Sequence, residues 1–247
     1  PYERLCVRDC GVNTINLSAK ASFGARPARD KHRSIQEIEP RLYRIRARRW
    51  VAATQQAALF HIDRGRNWHG LQNLLGELIQ GTVCSNRFGV YDYLKLQRRA
   101  ICWAHLKRDF QRWVDRSGPT IHLGEEGLAI TREVCRSYDR YKRGEMDAGA
   151  LRRAVLPLRR RMRGLLGWGI DSGVKKAVTF CRALKKRQRA MWTFARVAGI
   201  EPTNNHAERC LRGAVIYRKL SLGSQSEHGE QRIARLLSVH TTCRLQG

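Results

Sequence analysis

Residues 84–110 read CSNRFGVYDYLKLQRRAICWAHLKRDF, and the fold turns on them. They open on the end of a short apolar run, GTVCSN (81–86), with Gly81 supplying the break before it. That is the pattern of a buried strand closing on a polar residue. A second short strand, AICW (100–103), follows. HLKRDFQRWVD (105–115) then sets Leu106, Phe110, Trp113 and Val114 on one face of a basic, amphipathic helix. The residue closing the first strand is Asn86. Active sites gather at strand ends in sheet-and-helix folds, and this position suits a metal-binding carboxylate. Here it carries an amide.

Upstream, WVAAT (50–54) and AALFHI (57–62) flank Gln55-Gln56 and read as a β-hairpin. NWHGLQNLLGELI (67–79) places Leu71, Leu74, Leu75 and Leu78 at helical spacing behind Asn67, a natural N-cap. The order is strand, strand, helix, strand, strand, helix, which predicts an α/β sheet core. Residues 1–40 show no periodicity, and SAKASFGARPARDKHRS (18–34) is polar, basic and broken by Gly and Pro. They are expected to form a loose basic arm. From about Leu123 to Val197 the pattern is helical throughout, with Pro157 predicted to kink one helix. Helical spacing returns in EPTNNHAERCLRGAVIYRKL (201–220) and GEQRIARLLSVHTTCRL (229–245). The expected division is an arm over 1–40, a first core part over 41–122, a helical insertion over 123–198 and a last core part over 199–247.

The chain's 48 Lys+Arg against 21 Asp+Glu give a formal net charge of +27 over 247 residues. Self-repulsion on that scale destabilises a compact fold unless a polyanion offsets it. The excess is spread along the chain and is mostly Arg, which fits nucleic acid better than a membrane surface. The bland alternative is an Arg-rich, solvated surface. The eight cysteines, at 6, 10, 84, 102, 135, 181, 210 and 243, show no CxxC spacing. They form neither a zinc framework nor a disulfide scaffold by pattern. With no secretory signal and no apolar run of about 18 residues, a cytoplasmic protein with reduced thiols is expected. Pro1 and Gly247 both read as cut ends, so a fragment is expected.

Two places invite chemistry: the end of GTVCSN, and the helix start TNNHAER (203–209) carrying Glu208. A helix N-terminus favours a carboxylate, and the two places can face each other across the strand ends. Carboxylates meeting there would hold two divalent ions about 3.5–4 Å apart, the arrangement of phosphoryl transfer on nucleic acid. The bland reading of Glu208 is an ordinary first-turn helix residue. Cys102 and His105 form half a zinc site, or else a packed thiol and a hydrogen-bonded imidazole that set a strand-to-helix turn. Trp103 reads as core. The runs RRRMRG (159–164) and KKRQR (185–189) either track phosphates or are solvated helix faces. Arg209, Arg212, Arg218 and Lys219 flank Glu208 and sit where a DNA backbone would approach it. GSQSEHGE (223–230) reads as a Gly/Ser-bounded connector.

RRWVAAT (48–54), SNRFGVYDYL (85–94), RAICWAHLKRDF (99–110) and the segment 201–247 together resemble transposases of the insertion sequence 66 family. The resemblance runs from Arg48 to Gly247 and is carried most specifically by CWAHLKRDF and TNNHAERCLR. It implies a ribonuclease H-like mixed sheet core of the acidic-triad type, with a large helical insertion before the last catalytic helix. It also implies Mg²⁺ or Mn²⁺ as cofactor, double-stranded DNA as partner (element ends and target), a homo-oligomeric active assembly and an upstream DNA-binding segment. Glu208 matches the family's final glutamate. Asn86, before Arg87-Phe88, stands at the second acid, and Arg87 is expected to meet DNA. By distance the first acid falls near Gln36-Glu37, with Glu37 and Asp30 as candidates. Cys102 and His105 match the family's own Cys-x-x-His segment. The expectation is a DNA transposase whose strand cleavage and transfer are impaired in this copy. The alternative is a non-catalytic DNA-binding relic. A basic RNA-binding or structural protein is a third class, for which no aromatic-studded sheet motif is present.

Overall fold

In the computed structural model the described residues are 13–17, 48–63, 65, 67–76, 81–220 and 226–247. The strands are β1 (Asn13–Leu17), β2 (Arg48–Ala53), β3 (Ala58–Asp63), β4 (Val83–Ser85) and β5 (Arg99–Ile101). The helices are α1 (Trp68–Leu75), α2 (Trp103–Asp115), α3 (Ile121–Lys142), α4 (Ala148–Asp171), α5 (Lys175–Lys186), α6 (Gln188–Met191), α7 (Asn205–Leu220) and α8 (Glu227–Gln246). The result is a mixed α/β protein, mostly helical, around one five-stranded sheet of order β3-β2-β1-β4-β5. β1 runs parallel to β2 and antiparallel to β4, β2 pairs antiparallel with β3, and β4 pairs parallel with β5.

β2 shows why the sheet is covered on both faces. Side chains alternate along a strand. Trp50 and Ala52 pack on one face with Leu71, Leu74 and Leu75 of α1. Val51 and Ala53 pack on the other with Ala207, Leu211 and Ala214 of α7 and Ala234 of α8. All four β2 residues are fully buried. Asn67 caps α1 as its sequence predicts, its Oδ1 accepting from Gly70 N at 3.1 Å.

β3 is an edge strand, and α8 lies along it. Ala58 N and Phe60 N donate to Thr242 Oγ1 at 3.1 Å and Ser238 Oγ at 2.9 Å. Four residues of helix rise about 6 Å, and two residues of strand span about 6.6–6.8 Å. The two hydroxyls therefore match the two outward-facing amides.

Helices α2 to α5 share one core, which also takes in Cys84 of β4 and Ala100 and Ile101 of β5. Trp103, Leu106, Phe110 and Trp113 of α2 join Leu123, Ile130 and Val134 of α3, Met162 and Leu166 of α4, and Phe180 and Leu184 of α5. Two glycines set the α2–α3 crossing. A Cβ at Gly124 would stand 2.6 Å from Val114 N, and one at Gly127 would overlap the Phe110 ring. α4 is one helix across Pro157. The segment 172–199 forms α5 and the short α6. Arg99, with its side chain fully buried, pairs with Asp92, and Arg187 at the end of α5 pairs with the same carboxylate. This fastens the end of α5 to β5.

One expectation needs correcting. Asn13–Leu17, inside the stretch read as a loose arm, form β1, the middle strand of the sheet. The rest of 1–40, with Asp30 and Glu37, lies outside the described residues. Among the described residues no helix is long and apolar enough to cross a membrane, and the six cysteines present there are free.

Candidate functional site

Three segments converge at one end of β4 and β5. Cys102 N donates to Ser85 O at 2.9 Å, so the two parallel strands end side by side. Asn86 follows Ser85, and Trp103 opens α2. The segment before α7 is latched onto this junction: Trp103 N donates to Pro202 O at 2.8 Å, and Asn204 N donates to Cys102 Sγ at 3.4 Å. On its other side α7 is pinned by His206 Nε2, 2.6 Å from Thr54 O at the end of β2. Glu208, in the first turn of α7, then sits with Oε1 3.5 Å from both His105 Nε2 and Arg108 Nη2. Cys102, His105 and Glu208, singled out separately in the sequence, are thus brought together.

The electrostatics follow from burial. Burial, helped by the neighbouring Arg108 charge, pushes His105 down to about 4; Asp109 and the Asn204 side chain oppose this without prevailing. His105 is therefore a neutral imidazole at pH 7, and the positive charge facing Glu208 is that of Arg108. Burial pushes the Cys102 thiol up to about 11, against the lowering effect of nearby backbone amides. Burial also raises Cys84, reinforced by Cys102, Glu201 and Glu208. Both thiols stay protonated at neutral pH, so neither is a ready nucleophile. Trp103 is core, as its sequence implies: fully buried, its indole N–H donates to Met191 O at 2.8 Å.

Asn86 Oδ1 accepts from Phe88 N at 3.0 Å, an Asx turn that fixes the exit from β4. Arg87, expected at DNA, is engaged within the protein. Its Nε lies 2.5 Å from Asp109 Oδ2, and its guanidinium stacks 5.0 Å from the Phe180 ring centre. Arg209 and Arg212 lie exposed on α7. Arg218 and Lys219 lie within α7, their side chains outside the described residues. Arg108 and Asp109 were not singled out by sequence reasoning. The signal for Arg108 was there: it stands three residues after His105, hence on the same face of α2. Asp109 gave no such signal, because its partner Arg87 lies 22 positions earlier.

Among the described residues the donors at Glu208 do not make up a site for a pair of divalent ions. Among the described residues no group of three or more His, Cys, Asp and Glu side chains stands together as a metal site. At Glu208 the neighbours are a neutral imidazole and a guanidinium, and the strand-end oxygen of Asn86 is uncharged and already accepting. Hard dications prefer carboxylate oxygens.

The family model for the Transposase IS66 family matches residues 38–232. The match covers most of the chain, and the protein belongs to that family. No curated protein and no solved structure matches it.

Proposed function

We propose that this chain is a transposase of that family which binds DNA but in which metal-dependent strand cleavage is impaired. Family membership supports a DNA-processing role, and the net charge of +27 supports a polyanionic partner. Asn86 carries the second half of the reading. It follows the end of β4, with its side-chain oxygen accepting from Phe88 N. A divalent ion in such enzymes would activate the attacking water or hydroxyl and offset charge on the phosphate. Among the described residues at the strand ends, Glu208 is the carboxylate that would hold it. Arg108 neutralises that carboxylate, and His105 packs beside it as a neutral group. The ribonuclease H-like core belongs to the same reading, supported by a mixed sheet with helices on both faces.

The test is Mn²⁺-dependent nicking of labelled element-end DNA by the native chain, Asn86→Asp and Glu208→Ala. Binding without nicking by the native chain is the expected result. Nicking by the native chain that Glu208→Ala abolishes would overturn the reading. Nicking gained by Asn86→Asp alone would support it further, locating the defect at the amide.

A further inference from the structure

Outside the Glu208 site, the described surface carries a groove of about 380 Å³ between α2 and α3. Its lining includes Lys107 of α2, Arg132 and Arg136 of α3 and Arg143 just after α3, with Asp139 as its only carboxylate. Arg143 is taken by Glu145, its Nε 2.5 Å from Oε1. Lys107, Arg132 and Arg136 are exposed. Arg132 and Arg136 are four residues apart, hence on one helix face and about 6 Å apart along it. Two base-pair steps along one DNA strand rise about 6.8 Å. The groove and the site share a helix: Lys107 of α2 precedes Arg108, which stands 3.5 Å from Glu208.

We infer that the α2–α3 groove is a track for the phosphate backbone of duplex DNA, with Lys107, Arg132 and Arg136 contacting phosphates leading away from Glu208. This rests on the DNA-binding reading above and assigns part of that binding to a place. The insertion, through α3, becomes a contact surface as well as a spacer. Contacts of this kind are electrostatic and independent of base sequence.

Cys135 gives the groove its own reporter, because it is half-buried among these residues. Duplex DNA is titrated against the native chain over a range of salt. The titration is repeated with a Lys107→Gln, Arg132→Gln, Arg136→Gln triple variant and a control triple variant, Lys175→Gln, Lys176→Gln, Arg182→Gln, on α5. Maleimide labelling of Cys135, mapped by peptide mass, is followed in the native chain with and without DNA. The groove variant should lose up to about 3 units of the slope of log K against log salt, and the control variant clearly less. DNA should slow Cys135 labelling several-fold. If the native chain binds no duplex, the broader DNA-binding reading fails. If it binds, but Cys135 labels equally fast with DNA present and the groove variant keeps the full slope, the track is wrong and the broader reading stands. The labelling arm needs no substitution, so a variant that fails to fold leaves the question answerable.

Discussion

The backbone amide of Asn204 donates to the sulfur of Cys102 at 3.4 Å, joining segments 102 positions apart. With the Trp103–Pro202 bond beside it, this contact fixes where α7 begins and so where Glu208 points. Cys102→Ala removes the sulfur acceptor from this buried bond, which costs roughly 1–3 kcal/mol. Cys102→Ser keeps an acceptor and should cost less. Urea unfolding of both variants checks the order. Equal losses would mean that the thiol matters only for its volume.

Two helix glycines, Gly127 at the α2–α3 crossing and Gly164 in α4, give a contrast of sign. Gly127→Ala drives a methyl into the Phe110 ring, and a loss of about 1–3 kcal/mol is expected. Gly164→Ala, in the middle of α4 with nothing within 4 Å of the new methyl, should gain up to about 1 kcal/mol. Chemical denaturation of the pair measures both.

Asp92 holds the buried Arg99 and the end of α5 at once. Burial would raise its carboxyl, but the hydrogen bonds and charges of Arg187 and Arg99 hold it below the usual range. Asp92→Asn strands a buried guanidinium and should cost about 3 kcal/mol or more. Arg187→Gln leaves the Arg99–Asp92 pair standing and should cost less than Asp92→Asn. Comparable losses in thermal or urea unfolding would show that the two arginines share the carboxylate evenly.

His105 makes stability depend on pH in a definite direction. Its folded value, about 4, lies below the ordinary 6.5. Between those values the unfolded chain binds a proton that the folded chain refuses, so stability rises with pH there. The contribution is complete above pH 6.5 and is lost as pH falls toward 4, to an extent of roughly 3 kcal/mol at most. His105→Gln should flatten the stability profile between pH 4 and 6.5. An imidazole NMR signal for His105 that titrates near 6.5 in the folded protein would contradict the assignment.

Much of the core was readable from local pattern. The apolar run WVAA, the Asn67 cap and the helical spacing in α2 and α7 are local signals that packing then satisfied. β1 was not readable. NTINL is short and half polar, and what makes it a strand is a neighbour on each side, supplied by residues 48–53 and 83–85. In the site, Cys102, His105 and Glu208 were legible as single residues, but their meeting depends on the Asn204 and Pro202 contacts, which no spacing encodes. Arg87 shows the limit of reading charge alone. A basic residue at a strand end suits a phosphate or a carboxylate equally well, and here Asp109, on the next helix, occupies it.

The pairing of Ser238 and Thr242 with the outer amides of β3 makes α8 a guard against self-association. An edge strand with bare amides is a template on which another chain can extend the sheet. A chain ending before residue 238 would keep the whole Glu208 neighbourhood yet expose Ala58 N and Phe60 N. Such a truncation should show itself first as insolubility, in sedimentation or light scattering, before any loss at the site itself.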